Sequence, residues 1–193
     1  MSSSRFLLRS LPVFALAAAA MPSVADAGIY AGVGVGKAPA VRGDVDSRFS
    51  KDGNAGRLVV GARLGYIALE AEASRAVLAP AMSGDPWYAS TLAASLKLLL
   101  PVGDHLELFG RGGLGRSGIG PDPGLGRDAD TPYVGTGIIV GGGLQYRFGG
   151  QLANFSIWGE YSRQKLDLSK HDDQAEKLAG SLDTAIVGVA VGI

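Results

Sequence analysis

The 193-residue sequence predicts an all-β fold in which eight antiparallel strands run up and down and close into a barrel. Three observations carry that prediction. Apolar residues recur at every second position in eight separate segments, the period of a strand with one apolar face. The connections between the segments alternate long and short, as hairpins do when they step around a sheet. The last segment is itself an apolar alternating strand, and such an edge templates aggregation unless another strand covers it.

The chain opens with Arg5 and Arg9, an apolar run over 11–20 and Ala25-Asp26-Ala27, which together read as a secretory signal peptide over residues 1–27. The run is shorter than the roughly 20 apolar residues of a spanning helix. The remainder, 28–193, suits a single domain. It holds all 30 glycines, no cysteine, and 16 basic against 17 acidic residues. Near-neutrality offers nothing to nucleic acid. Without disulfides, an exported domain must close itself by hydrogen bonds and packing.

The first segment, 29–36, sets Ile29, Ala31, Val33 and Val35 against Tyr30 and three glycines. The second, 56–66, sets Leu58, Val60, Leu64 and Tyr66 against Arg57, Gly61 and Arg63. The third, 67–75, opposes Leu69, Ala71 and Ala73 to Glu70, Glu72 and Ser74. In the fourth, 87–100, Tyr88, Leu92, Leu96 and Leu98 face away from Thr91, Ser95 and Lys97. The fifth, 106–115, opposes Leu106, Leu108 and Leu114 to Glu107, Phe109 and Arg111. The sixth, 133–148, opposes Val140, Leu144, Tyr146 and Phe148 to Gly141, Gly143, Gln145 and Arg147. The seventh, 154–163, sets Phe155, Ile157 and Tyr161 against Trp158, Glu160 and Ser162. The eighth, 182–193, turns Val187, Val189, Val191 and Ile193 away from Thr184, Gly188 and Gly192, and it meets the first segment to close the barrel. Long loops are expected at 37–55, 76–86, 116–132 and 164–181, with tight turns at the other end.

Alternation by itself also fits a soluble barrel with an apolar interior, and the minor face decides between the two. Its expected ionisable members are Arg63, Lys97, Arg111 and Arg147 against Glu70, Glu72, Glu107 and Glu160, and most of the rest is small. The interior of an eight-stranded barrel is just wide enough for side chains to fill. Small residues suit it, and charges there must pair because unpaired buried charge is costly. The apolar face then meets lipid, which makes the fold an eight-stranded antiparallel up-and-down transmembrane β-barrel. Tyr66, Tyr146 and Phe148 fall near the turn end of the apolar face, and Tyr88 and Tyr161 near the loop end, where interfacial aromatics belong.

The signal peptide, the opening GIYAGVGVGKA, the GGGLQYRFGG hairpin, the GEYSR segment and the terminal strand resemble the small outer-membrane β-barrel proteins of Gram-negative bacteria, of the OmpA/OmpX transmembrane type. The resemblance spans nearly all of 28–193. It implies an outer-membrane location, outer-membrane lipid and lipopolysaccharide as surroundings, the barrel-assembly machinery and periplasmic chaperones as transient partners, and a monomer without a cofactor. Val187, Val189, Val191 and Ile193 would form the strand read during assembly. Such proteins usually end in Phe, and this chain ends in Ile193.

Other motifs carry little chemistry. Gly110 to Gly115 fits the dinucleotide pattern, but 117–126 holds prolines and glycines where the pattern needs a helix to receive phosphate. A lipid A deacylase resemblance would need a Ser two residues after His171, where Asp173 stands, and His105 falls in a turn. The carboxylates of Asp122, Asp128 and Asp130 and of Asp172, Asp173 and Glu176 read as solvated loop residues rather than a metal site. The expectation is a non-enzymatic structural or surface-interaction barrel plugged by paired charges. A narrow solute pore is the alternative, followed by a lipid A-modifying enzyme and a soluble lipocalin-like barrel.

Overall fold

The computed structural model describes residues 27–43, 53–78, 86–120, 133–149, 153–170 and 177–193. They form eight strands: β1 (Ala27–Gly43), β2 (Gly53–Leu64), β3 (Ile67–Leu78), β4 (Trp87–Val102), β5 (Leu106–Gly120), β6 (Tyr133–Gly149), β7 (Asn154–Lys170) and β8 (Lys177–Gly192). Every strand pairs antiparallel with its sequence neighbour, and β8 pairs with β1 to close the barrel. Ile29 and Ile193 exchange backbone hydrogen bonds of 3.1 and 3.0 Å at the seam. Closure satisfies the main chain that an open sheet would leave bare in a membrane.

The turn end is built on glycine. Gly65, Gly103 and Gly149 have φ of 60°, 85° and 128°, one in or beside each of the three tight connections. Residues with a Cβ avoid that region, so the chain reverses direction there at little cost only because these positions are glycine.

The strands run further toward the loop end than the alternation predicts. β7 continues to Lys170 rather than stopping at 163, β5 to Gly120 and β1 to Gly43, and β8 begins at Lys177. The reason is an inversion of polarity, clearest along β7. In β7, Phe155, Ile157 and Tyr161 point outward while Trp158, Glu160 and Ser162 point into the lumen; beyond them the outward residues are Arg163, Lys165 and Asp167, and the inward ones include Leu166 and Leu168. A 17-residue strand at about 3.3 Å per residue, tilted by about 40°, rises roughly 40 Å, well above an apolar band of about 25 Å. The upper part is therefore a barrel of the soluble kind, polar outside and apolar within. Its interior holds Leu78, Ile119, Tyr133, Leu166, Leu168 and Leu182, all buried. The segments expected to be loops are partly strand because the outward apolar pattern ends where lipid ends, not where pairing ends.

The lower outward face is apolar without interruption by charge, with Leu64 75% and Leu114 70% exposed. Large lumen side chains fit because glycines face them. The Trp158 ring lies across Gly34 and Gly188, Tyr30 across Gly61 and Phe109 across Gly143, each too close for a Cβ.

Candidate functional site

The lumen gathers a network of ion pairs from six strands. Near the turn end, Arg63 forks onto Glu107 at 2.9 and 2.7 Å, and Glu107 also accepts from Gln145 at 2.5 Å and Arg147 at 3.3 Å. Lys97 donates to Glu70 at 3.2 Å and to Gln145 at 3.1 Å, and its ammonium sits 4.1 Å from the centre of the Phe109 ring. Tyr30 completes the Glu70 site with a 2.6 Å hydrogen bond.

The second group lies at mid-height. Arg111 donates to Glu160 at 2.9 Å and also to Glu72. Arg57 reaches Glu160 at 2.8 Å and places its Nε 3.4 Å from Glu72. Two guanidiniums and two carboxylates thus alternate, with Ser162 accepting from Arg57 at 3.1 Å and the Arg57 guanidinium over the Trp158 ring at 5.8 Å. All four ionic side chains are buried. At such depth each charge survives only by having its partners in place. Above them Thr91, Ser117 and Gln164 bond to one another, and the apolar layer begins.

Small voids remain between the described lumen side chains. One of about 50 Å³ lies at the turn end, beside Tyr30, Arg63, Lys97 and Arg147. One of about 20 Å³ lies above the mid-height quartet, beside Arg57, Glu72 and Gln164.

The eight charges singled out from the sequence all lie in this lumen, in contact with one another. Arg57 was not among them, although it shares the parity of Arg63 in the same strand, and parity was the signal that could have found it. With Arg57 the described lumen carries five cations, Arg57, Arg63, Lys97, Arg111 and Arg147, against four carboxylates, so the balance is not equal.

Of the aromatic residues, Tyr146 and Phe148 point outward with ring centres 6.4 Å apart, Phe148 stacks on Phe155 at 5.8 Å, and the His105 ring approaches Tyr146 at 5.6 Å. Tyr66 sits in the β2–β3 turn. Tyr161 points outward and donates to Asp183 at 2.8 Å, and Tyr88 lies under the Arg75 guanidinium at 5.9 Å. Val187, Val189 and Val191 line the outer face of β8, whose backbone pairs with β1 and β7. The signal peptide apart from Ala27, His171, and the acidic positions 122, 128, 130, 172, 173 and 176 lie outside the described residues.

Solved structures of similar shape are small barrels. Neisserial surface protein A (NspA) superposes with a TM-score of 0.57 at 19% identity, over 84% of this chain and 96% of that one. Ail, the attachment invasion locus protein of Yersinia pestis, superposes with a TM-score of 0.50 at 15% identity, over 86% of this chain and 97% of that one. At such identities the likeness is one of fold. No curated protein matches the chain. A family model does: the outer membrane protein beta-barrel domain matches residues 7–193. A closed barrel, apolar outside and ionic within, matched over nearly its whole length by that family, belongs to it: the chain is an outer-membrane β-barrel protein of the Gram-negative envelope.

Proposed function

We propose that the chain is a monomeric, non-enzymatic barrel with a closed lumen, acting as a rigid stand for four extracellular loops that carry a structural or surface-interaction role. The supporting observation is the filling of the lumen. Paired charges occupy its lower part, an apolar layer tops them, and voids of about 50 and 20 Å³ lie apart, on either side of the Arg57–Glu72–Arg111–Glu160 quartet. A void of about 10–15 Å³ by this measure holds one water, so each takes at most a few waters, and the buried quartet stands between them. A barrel that does not conduct and extends well beyond the bilayer holds its loop bases still, which suits recognition by loops. Removal of the signal peptide would leave Gly28 as the first residue, and an intact-mass measurement of the membrane-inserted protein checks it.

Planar-bilayer recording tests the closed lumen. The parent chain is expected to give no discrete conductance steps, and Arg111→Ala or Glu107→Ala to leave that silent baseline, because the apolar layer above is untouched. Reproducible steps in the parent, altered by either variant, would establish the narrow pore instead. A lipid A-modifying activity abolished by His171→Ala would overturn the non-enzymatic reading.

A further inference from the structure

On the outer wall the apolar band ends in cations. Arg116 of β5, Arg163 and Lys165 of β7 and Arg42 of β1 all point outward. Arg116 is opposite Thr136, and Lys165 is opposite Ser181, which in turn faces Arg42 across the next ladder. These cations rim a concave stretch of wall of about 1250 Å³, whose floor includes Leu92, Leu114 and Ile138.

Positive charge is in excess there, four cations against the two outward carboxylates Asp167 and Asp183, of which Asp167 is exposed and level with Arg116 across Thr136. Asp183 also points outward, yet its side chain is only 1% exposed. Arg163 grips it through two hydrogen bonds of 2.7 and 3.0 Å, Tyr161 donates at 2.8 Å, and Arg42 approaches at 3.4 Å. That carboxylate is saturated and fixes Arg163 in place. Arg116 and Lys165 have no hydrogen bond or ion pair among the described residues. Cations elsewhere on the rim are engaged: Lys37 donates to Asn54 at 3.0 Å, and Arg75 lies over Tyr88.

Cations bordering hydrocarbon without counter-ions are unfavourable, and an anion at their level relieves the cost. An occupant that places anions at the cations and apolar chains against Leu92, Leu114 and Ile138 matches both halves of the wall. We propose that this wall binds a phosphorylated, multiply acylated lipid of the outer leaflet, with phosphate on Arg116, Arg163 and Lys165 and its acyl chains in the concavity below. Bidentate guanidinium–phosphate pairing supplies the directional part of the contact. All of these are strand residues, so the proposal stands whether or not the loops bind a partner.

Native mass spectrometry of the detergent-solubilised full barrel, titrated with bisphosphorylated lipid A and with its dephosphorylated form, tests it. The phosphorylated probe is expected to bind and the dephosphorylated one to bind far more weakly. Arg116→Gln with Lys165→Gln should weaken the phosphorylated probe on the order of 20-fold, at about fivefold per cation. Lys37→Gln should leave it unchanged, as should the charge-keeping pair Arg116→Lys with Lys165→Arg to within a few-fold. An unaltered heat-dependent gel shift shows that each variant is folded. Equal binding of the two probes, or parental affinity in the double Gln variant, would overturn the proposal. So would displacement of the lipid by millimolar inorganic phosphate, which would mark a simple anion site.

Discussion

Glu160 shows how much one side chain supports in this barrel. It lies between Arg57 and Arg111 at 2.8 and 2.9 Å, on a strand adjacent to neither. Replacing it by Gln leaves two buried guanidiniums sharing Glu72, with Glu70 at 3.8 Å from Arg111 the other carboxylate in reach, and breaking a buried pair in this way costs about 3–5 kcal/mol. Urea unfolding of Glu160→Gln in detergent should show that loss, and a midpoint equal to the parent's would mean water already screens the quartet. Gly188 carries the opposite constraint. A Cβ there would fall 2.4 Å from the Trp158 ring, so Gly188→Val is expected to cost about 1–3 kcal/mol through overpacking. Shrinking the ring as well, in Gly188→Val with Trp158→Leu, should recover part of that, and a simple sum of the two single costs would show that the residues do not compete for space. The faces of these residues were legible from parity. Their partners were not: Arg111 on β5 reaches Glu72 on β3 and Glu160 on β7, two strands away on either side, and no local pattern encodes a contact across a lumen.

At the scale of the element, the turns and the seam are the sensitive places. Gly103 has φ of 85° with no atom near its absent Cβ, so strain there is a matter of backbone alone. Gly103→Val should destabilise the barrel by about 1–2 kcal/mol, and Gly103→Asn by clearly less, because Asn tolerates the left-handed region. Refolding midpoints of the two variants check the order. In β8, Val189 is paired with Val33 of β1 and Ile157 of β7. Val189→Pro removes a ladder donor and should abolish the unheated gel form altogether; survival of that form would mean the seam tolerates a gap. The lower half of each strand was legible because lipid outside and glycine inside produce clean alternation. The upper half was not, because Leu166 and Leu168 carry the apolar pattern on the opposite parity from Phe155 and Ile157, which resembles the end of a strand.

Over the whole molecule, stability rests on closure. Eight ladders with no free edge must open together, so the unheated protein in dodecyl sulphate is expected to migrate differently from the boiled one. Identical migration of both samples from the outer-membrane fraction would argue against a continuous ladder. The interior has two stacked parts, an ionic one within the apolar band and an apolar one above it. Charge placed in the upper part has no partner: Leu168→Glu, at a site 2% exposed, should cost several kcal/mol and lower the temperature of the gel shift. An unchanged temperature would mean that water enters the upper lumen.

By itself the sequence determined the strand number, the order of connections and which face meets lipid, because all three follow from local periodicity and from the small residues an eight-stranded lumen demands. Only the tertiary structure decided which charges pair and where the barrel changes from membrane to soluble character. Those features depend on which strands lie across the lumen from one another and on how far pairing outlasts the bilayer, and both are set by closure of the whole sheet rather than by any one segment.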